Sequence, residues 1–158
     1  MDIETIIDTY GDGLLRLCLL YLGERQLAED AFQTTLVKAW KSLPGFRGES
    51  SMKTWLSRIA VNVCRDTLRS GWFRMRKQSE SIDTLLNIAA PDSGDSDVAQ
   101  AVLSLPGRYR EVIVLYYYED MTMREIAEAL RIPINTVSTR LRRARALLGD
   151  MLKGEIEA

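Results

Sequence analysis

Seven residues in one short stretch could do chemistry: Asn135, Thr136, Ser138, Thr139, Arg140, Arg142 and Arg143. That chemistry is recognition. A guanidinium fork matches a guanine edge or a phosphate, and short Asn, Thr and Ser side chains let a helix approach a groove closely. Bond-making chemistry fails on residue type. The chain has no histidine, and it has no GxxxxGK[ST] phosphate loop, no GxSxG and no CxxC pair. A zinc site is discounted, an enzyme is disfavoured and no cofactor is expected. Cys18 and Cys64 lie far apart in helical patterns. One disulfide is conceivable, but two buried thiols in a reducing compartment is the plainer reading.

The elements that must position the seven are short helices. Thr122 to Glu125 has the T-x-x-E form of a capping box, which starts a helix at about Met123 with Ile126, Ala127 and Leu130 inward. Arg131-Ile132-Pro133 breaks it. A second helix is predicted from about Ile134 to Met151, with Val137, Leu141, Ala144 and Leu148 as its core stripe. Two helices around so short a turn, with basic and small polar residues on the second, describe a helix-turn-helix. Its second helix would enter a DNA major groove. A solvated helix face also carries arginines. The capping box, the short turn and the absence of acids beside the arginines weigh against that.

A second constellation sits upstream. The helix predicted over 52–70 separates at about 100° per residue into two faces. Leu56, Ile59, Ala60 and Val63 form one, and Arg58, Asn62, Arg65 and Arg69 fall nearly opposite. The loop FRGESSMK, ending in Lys53, leads into it, and Ser50 or Ser51 can cap it. By spacing alone the basic stripe reads equally as a phosphate-and-base surface or as an exposed face. Arg74, Arg76 and Lys77 extend the charge downstream, where a nucleic-acid backbone could run. The preceding helix, about 24–43, carries Asp30, Gln33, Thr34 and Lys38, a mixed polar face that suits a protein partner better than DNA. Trp40 and Trp55 read as core anchors.

The whole chain frames these elements. Its 158 residues suit one ordinary domain or two small ones, and 46% apolar content supports real cores. A net charge of −1 argues against a histone-like packer but allows a local basic patch. The acidic start MDIETIID is no signal peptide, and the apolar run Leu14–Leu22 is broken by Arg16 and too short to span a bilayer, so a cytoplasmic protein is expected. Residues 2–22 have helical spacing, weakened by Gly11 and Gly13 and closed by Gly23. Residues 79–97 have linker composition around an apolar island of Leu85, Leu86 and Ile88. VIVLYYY (112–118) could be a strand, but length and flanks favour a buried helix. The reading is all-α: two small helical domains, 1–78 and 98–158, joined by a flexible linker, 79–97.

Four blocks together, AEDAFQTTLVKAW (28–40), TWLSRIAVNVCRDTLR (54–69), LSLPGRYREVIVLYY (103–117) and MTMREIAEALRIPINTVSTRLRRAR (121–145), resemble an extracytoplasmic-function sigma factor of bacterial RNA polymerase. The resemblance covers nearly the whole chain. It implies a region 2 helical bundle, a linker and a region 4 helix-turn-helix. The face of Asp30, Gln33, Thr34 and Lys38 would meet the clamp helices of core RNA polymerase. The loop 46–53 with Lys53, Arg58, Asn62, Arg65 and Arg69 would capture the unpaired −10 strand. The seven residues from Asn135 to Arg143 would read the −35 element, with the polymerase flap and an anti-sigma factor as further partners. The chain departs from the family pattern in three places. Thr34 replaces an acid, Arg131 replaces the turn glycine, and Asn135-Thr136-Val137-Ser138-Thr139 replaces Gly-Thr-Val-Lys-Ser. The rival reading, a stand-alone helix-turn-helix regulator, would need a dimer interface. No heptad seam is visible, and that reading leaves the first two blocks unexplained.

Overall fold

The computed structural model describes residues 2–70 and 96–157, all helices and connecting turns. Helix α1 (Ile3–Leu22) begins where Asp2 accepts from the Thr5 backbone N–H at 2.9 Å. It ends at Gly23, whose φ of 72° is left-handed and whose N–H bonds to the Leu19 carbonyl. Helix α2 (Arg25–Ser42) is capped by Glu24 and runs into a short 3₁₀ turn at Leu43–Gly45. Helix α3 (Met52–Arg69) starts at Ser51, which accepts from the Thr54 N–H at 3.0 Å.

Four helices make up the second half: α4 (Ser96–Ser104), α5 (Gly107–Ile113), α6 (Met123–Leu130) and α7 (Ile134–Glu157). Between α5 and α6 the VLYYY segment (Val114–Tyr118) winds as a π-helical turn. The expected burial of this run holds for Val114 and Leu115, whereas Tyr117 is half exposed. The capping box of α6 forms in both directions, Glu125 N–H to Thr122 Oγ1 and Thr122 N–H to the Glu125 carboxylate.

The last turns of α1 explain how the halves meet. Leu17 through Leu22 are all buried, with no solvent face. A helix apolar on every side must be covered on every side. Here α2 and α3 cover one flank, and α4, α5 and the π turn cover the other. The two halves therefore share one continuous core, and α3 packs directly against α6.

Several expectations change. Trp40 is 60% exposed and is no core anchor, because the inner stripe of α2 is filled by Leu27, Ala28, Ala31, Thr35 and Ala39. Trp55 does pack on the core, with its ring 5.0 Å from that of Phe46. Ala129, rather than Ala127, is the buried alanine of α6. Helix α4 begins at Ser96, inside the expected linker, and α7 runs past Met151. The segment Arg74–Lys77 and the island Leu85, Leu86 and Ile88 lie outside the described residues.

Candidate nucleic-acid interface

The helix-turn-helix is built as its sequence dictates, with one local cost. Arg131 closes α6 at φ 57°, ψ 48°, the left-handed region. A non-glycine residue there costs about 1 kcal/mol. The Pro133 carbonyl then accepts from the Thr136 and Val137 N–H groups at 3.0 and 3.2 Å, opening α7. Val137, Leu141 and Ala144 face the core, and Leu148 is half-buried. Asn135, Ser138, Arg142 and Arg143 are exposed, while Thr136, Thr139 and Arg140 are half-buried beside them. All seven predicted residues thus lie on one helix, off its core stripe.

Two arginines of α7 are engaged by the fold. Arg145 donates from Nε to the Tyr117 hydroxyl at 2.5 Å and lies 5.5 Å from the centroid of the Tyr116 ring. Arg140 leans toward the Glu111 carboxylate at 3.9 Å. Sequence reasoning missed two residues that share this surface. Arg108 and Tyr109, from α5, line the same shallow cleft as Asn135, Thr136, Thr139, Arg140 and Arg143. The local signal was the Pro106-Gly107 turn just before them, which swings α5 back against α7.

The basic stripe of α3 is neither a free surface nor a merely solvated one. Arg58 donates to the Glu128 backbone carbonyl at 2.8 Å, and its Nε is buried with no partner among the described residues. Arg65 donates to both oxygens of Glu111, at 2.8 and 3.3 Å. Lys53 lines a cleft with Arg16 and Glu119. Asn62 and Arg69 stay exposed. Three of the five residues expected to hold an unpaired strand therefore sit at the seam between the halves.

Acidic groups of the second half form the other side of that seam. Glu111 is buried and also accepts from the Tyr21 hydroxyl at 2.5 Å. Burial, then the Glu111 charge, pushes the Tyr21 phenol well up, while the hydrogen bond to Glu111 raises the Arg65 guanidinium. Glu119 pairs with Arg16 at 2.9 Å, and burial raises its carboxyl above the ordinary range. Arg16 also donates to the Tyr118 carbonyl, and Arg110 to those of Tyr21 and Leu105. Burial lowers the Arg110 pKa. Thr54 donates to Glu125 at 3.2 Å, and the Thr122 N–H holds that carboxyl below its ordinary range.

Gly13 belongs to this seam. A Cβ there would stand 2.8 Å from Glu119 Oε1, so the missing side chain is the seat for a carboxylate of the other half. On α2, Asp30, Gln33, Thr34 and Lys38 are exposed, as expected. Val37 and Trp40 are exposed there too, at 49% and 60%. The polar face predicted for a protein partner has an apolar component.

Residues 6–74 match Sigma-70 region 2, and residues 96–148 match Sigma-70, region 4. ECF RNA polymerase sigma factor SigW of Bacillus subtilis is 33% identical, over 94% of this chain and 87% of that protein. The chain belongs to the extracytoplasmic-function sigma factors. Two solved structures extend the likeness to three dimensions. CnrH in complex with the cytosolic domain of CnrY aligns with a TM-score of 0.74 at 27% identity, over 96% of this chain and 88% of that one. RpoE in complex with the anti-sigma factor NepR, from Bartonella quintana, gives 0.75 at 28% identity, over 89% of each chain. This sigma factor thus shares both its halves with them. Among its described residues no helix is long and apolar enough to cross a membrane, and no acidic or thiol cluster could hold a metal ion.

Proposed function

We infer that this sigma factor binds core RNA polymerase and directs initiation at specific bacterial promoters, in the cytoplasm and without catalysis of its own. Residues 1–78 act as the polymerase and −10 module, 79–97 as the linker and 98–158 as the −35 module. The α2 face of Asp30, Gln33, Thr34 and Lys38 meets the polymerase, with Val37 and Trp40 supplying apolar area. Lys53, Arg58, Asn62, Arg65 and Arg69 hold the unpaired strand, and the seven residues of α7 read the duplex.

The carrying observation is the order of the two family matches, 6–74 then 96–148, each with its own basic face. A stand-alone regulator accounts for the second match and not the first. The closed seam adds a requirement: the halves must separate before Arg58 and Arg65 can take DNA. An anti-sigma factor that grips both halves fits this arrangement, and RpoE of Bartonella quintana is in complex with the anti-sigma factor NepR.

The test is to mix the purified chain with bacterial core RNA polymerase and run the mixture on a sizing column. Co-elution is expected. A chain that elutes alone, yet still shifts duplex DNA, would move the function to unaided DNA binding.

A further inference from the structure

The DNA-facing surface of α7 has a flank supplied by another helix. Arg108 is exposed in the first turn of α5, and its guanidinium carbon lies 4.7 Å from the centroid of the Tyr109 ring. Tyr109 is buried, so the ring is a fixed platform and the guanidinium on it is held in place. Arg143, one turn beyond Thr139, lines the same cleft from the α7 side. Arg108 first, and Arg143 second, lower the Tyr109 phenol below its ordinary range, in keeping with the cleft they share.

Charge separates this pair from the arginines of the seam. Arg65 and Arg140 have Glu111 within 4 Å, and Arg16 has Glu119. Among the described residues no carboxylate pairs with Arg108 or Arg143. Two like charges brought together from two helices, without a counter-ion, repel each other unless an anion completes the site. A guanidinium fork lying beside a groove-entering helix, rather than on its leading face, is placed for the sugar-phosphate backbone and not for a base edge.

We propose that Arg108, held on the Tyr109 ring, acts with Arg143 to clamp one backbone phosphate of the duplex that α7 enters. Arg108 is then a positioning residue: it fixes the register of the recognition helix and reads no base. This rests on the reading of α7 as the recognition helix.

The experiment uses the full chain and a fluorescent mixed-sequence duplex, titrated by anisotropy at several potassium chloride concentrations. Each phosphate contact contributes about 0.9 to the slope of log K against log salt. Arg108→Ala should weaken binding and flatten the slope by part of that amount, because Arg143 stays on the same phosphate. The Arg108→Ala, Arg143→Ala double variant should lose all of it, and Arg108→Lys should restore the slope at intermediate affinity. The loss should be the same on a promoter-derived duplex, because a backbone contact is blind to sequence. Arg108 is exposed, and circular dichroism melting confirms that the variants stay folded. An unchanged slope in Arg108→Ala, beside a flattened one in Arg143→Ala, overturns the clamp and leaves the recognition helix standing. A loss confined to the promoter duplex overturns it as well, by making Arg108 a base reader. If Arg142→Ala and Arg143→Ala both bind like the parent, the recognition-helix reading falls and the clamp with it.

Discussion

Replacing Glu111 by Gln tests the seam at its centre. The side chain keeps its shape but loses the charge that Arg65 meets at 2.8 and 3.3 Å. Hydrogen bonds to charged groups contribute about 1.5 to 3 kcal/mol. Glu111 is 4% exposed but Arg65 is 28% exposed, so water screens part of the interaction and leaves about 2 kcal/mol. At about 1.4 kcal/mol per tenfold, that is roughly a 30-fold shift of the closed arrangement toward the open one. For a chain of this length the same loss lowers Tm by about 4 to 8 °C. Differential scanning calorimetry reads it, and a cycle with Arg65→Met assigns it. In the Arg65→Met background Glu111→Gln should cost much less. A Tm within one degree of the parent, or equal losses in both backgrounds, would show that Glu111 does not hold the halves through Arg65.

Other residues give sharper local tests. Gly13→Ala should gain about 1 kcal/mol in α1 and lose a similar amount as its Cβ displaces the Glu119 carboxylate, leaving Tm nearly unchanged. Hydrogen exchange of the Glu119 amide, now bonded to the Val114 carbonyl, should nonetheless rise, and unchanged exchange with a raised Tm would mean the carboxylate moves aside freely. Arg131→Gly should raise stability by about 1 kcal/mol by relieving the left-handed backbone, measured by urea unfolding, and a loss would refute the strain argument. The Glu125 carboxyl, ordinarily at 4.5, is depressed by the folded state. Its stabilisation is full above that value and disappears as pH falls through the lower folded value, so Glu125→Gln should flatten the acid limb of stability, and a limb of unchanged steepness counts against it. The hydrogen bond with Cys18, then burial, push the Cys64 thiol well up, so alkylation should be negligible in the native chain and rapid in denaturant.

What the sequence made legible follows the range of each interaction. The capping box, the left-handed Gly23, the Ser51 cap and the α7 core stripe are set by neighbours within one or two turns, and all are present. The seam is set by pairs such as Arg16 with Glu119 and Arg65 with Glu111, 103 and 46 positions apart, and no period or motif links them. Gly13 shows the difference. Its helix penalty was readable, and its reason, a carboxylate from the other half, was not. Trp40 misled because a large aromatic suggests a core, whereas beyond Leu27 the α2 stripe is filled by small residues, Ala28, Ala31, Thr35 and Ala39. The π turn had no local signature beyond an ambiguous VIVLYYY.

The seam also bears on why a promoter-recognition chain can be net acidic. Its 21 lysines and arginines nearly balance 22 acids, and several of them are met by carboxylates of its own second half: Arg65 and Arg140 by Glu111, Arg16 by Glu119. While closed, the chain shows DNA mainly the exposed residues of α7. Apparent affinity for an unpaired strand then falls in proportion to the open fraction. If the Glu111 and Glu119 pairs contribute about 2 kcal/mol and about 1 kcal/mol to closure, those pairs alone give a reduction on the order of 100-fold, and the shared core adds to it. A polymerase that holds the halves apart would remove the reduction and place both modules on one DNA at high effective concentration. Free chain and polymerase-bound chain would then differ in strand affinity by the closure energy, with no change in any residue that touches DNA.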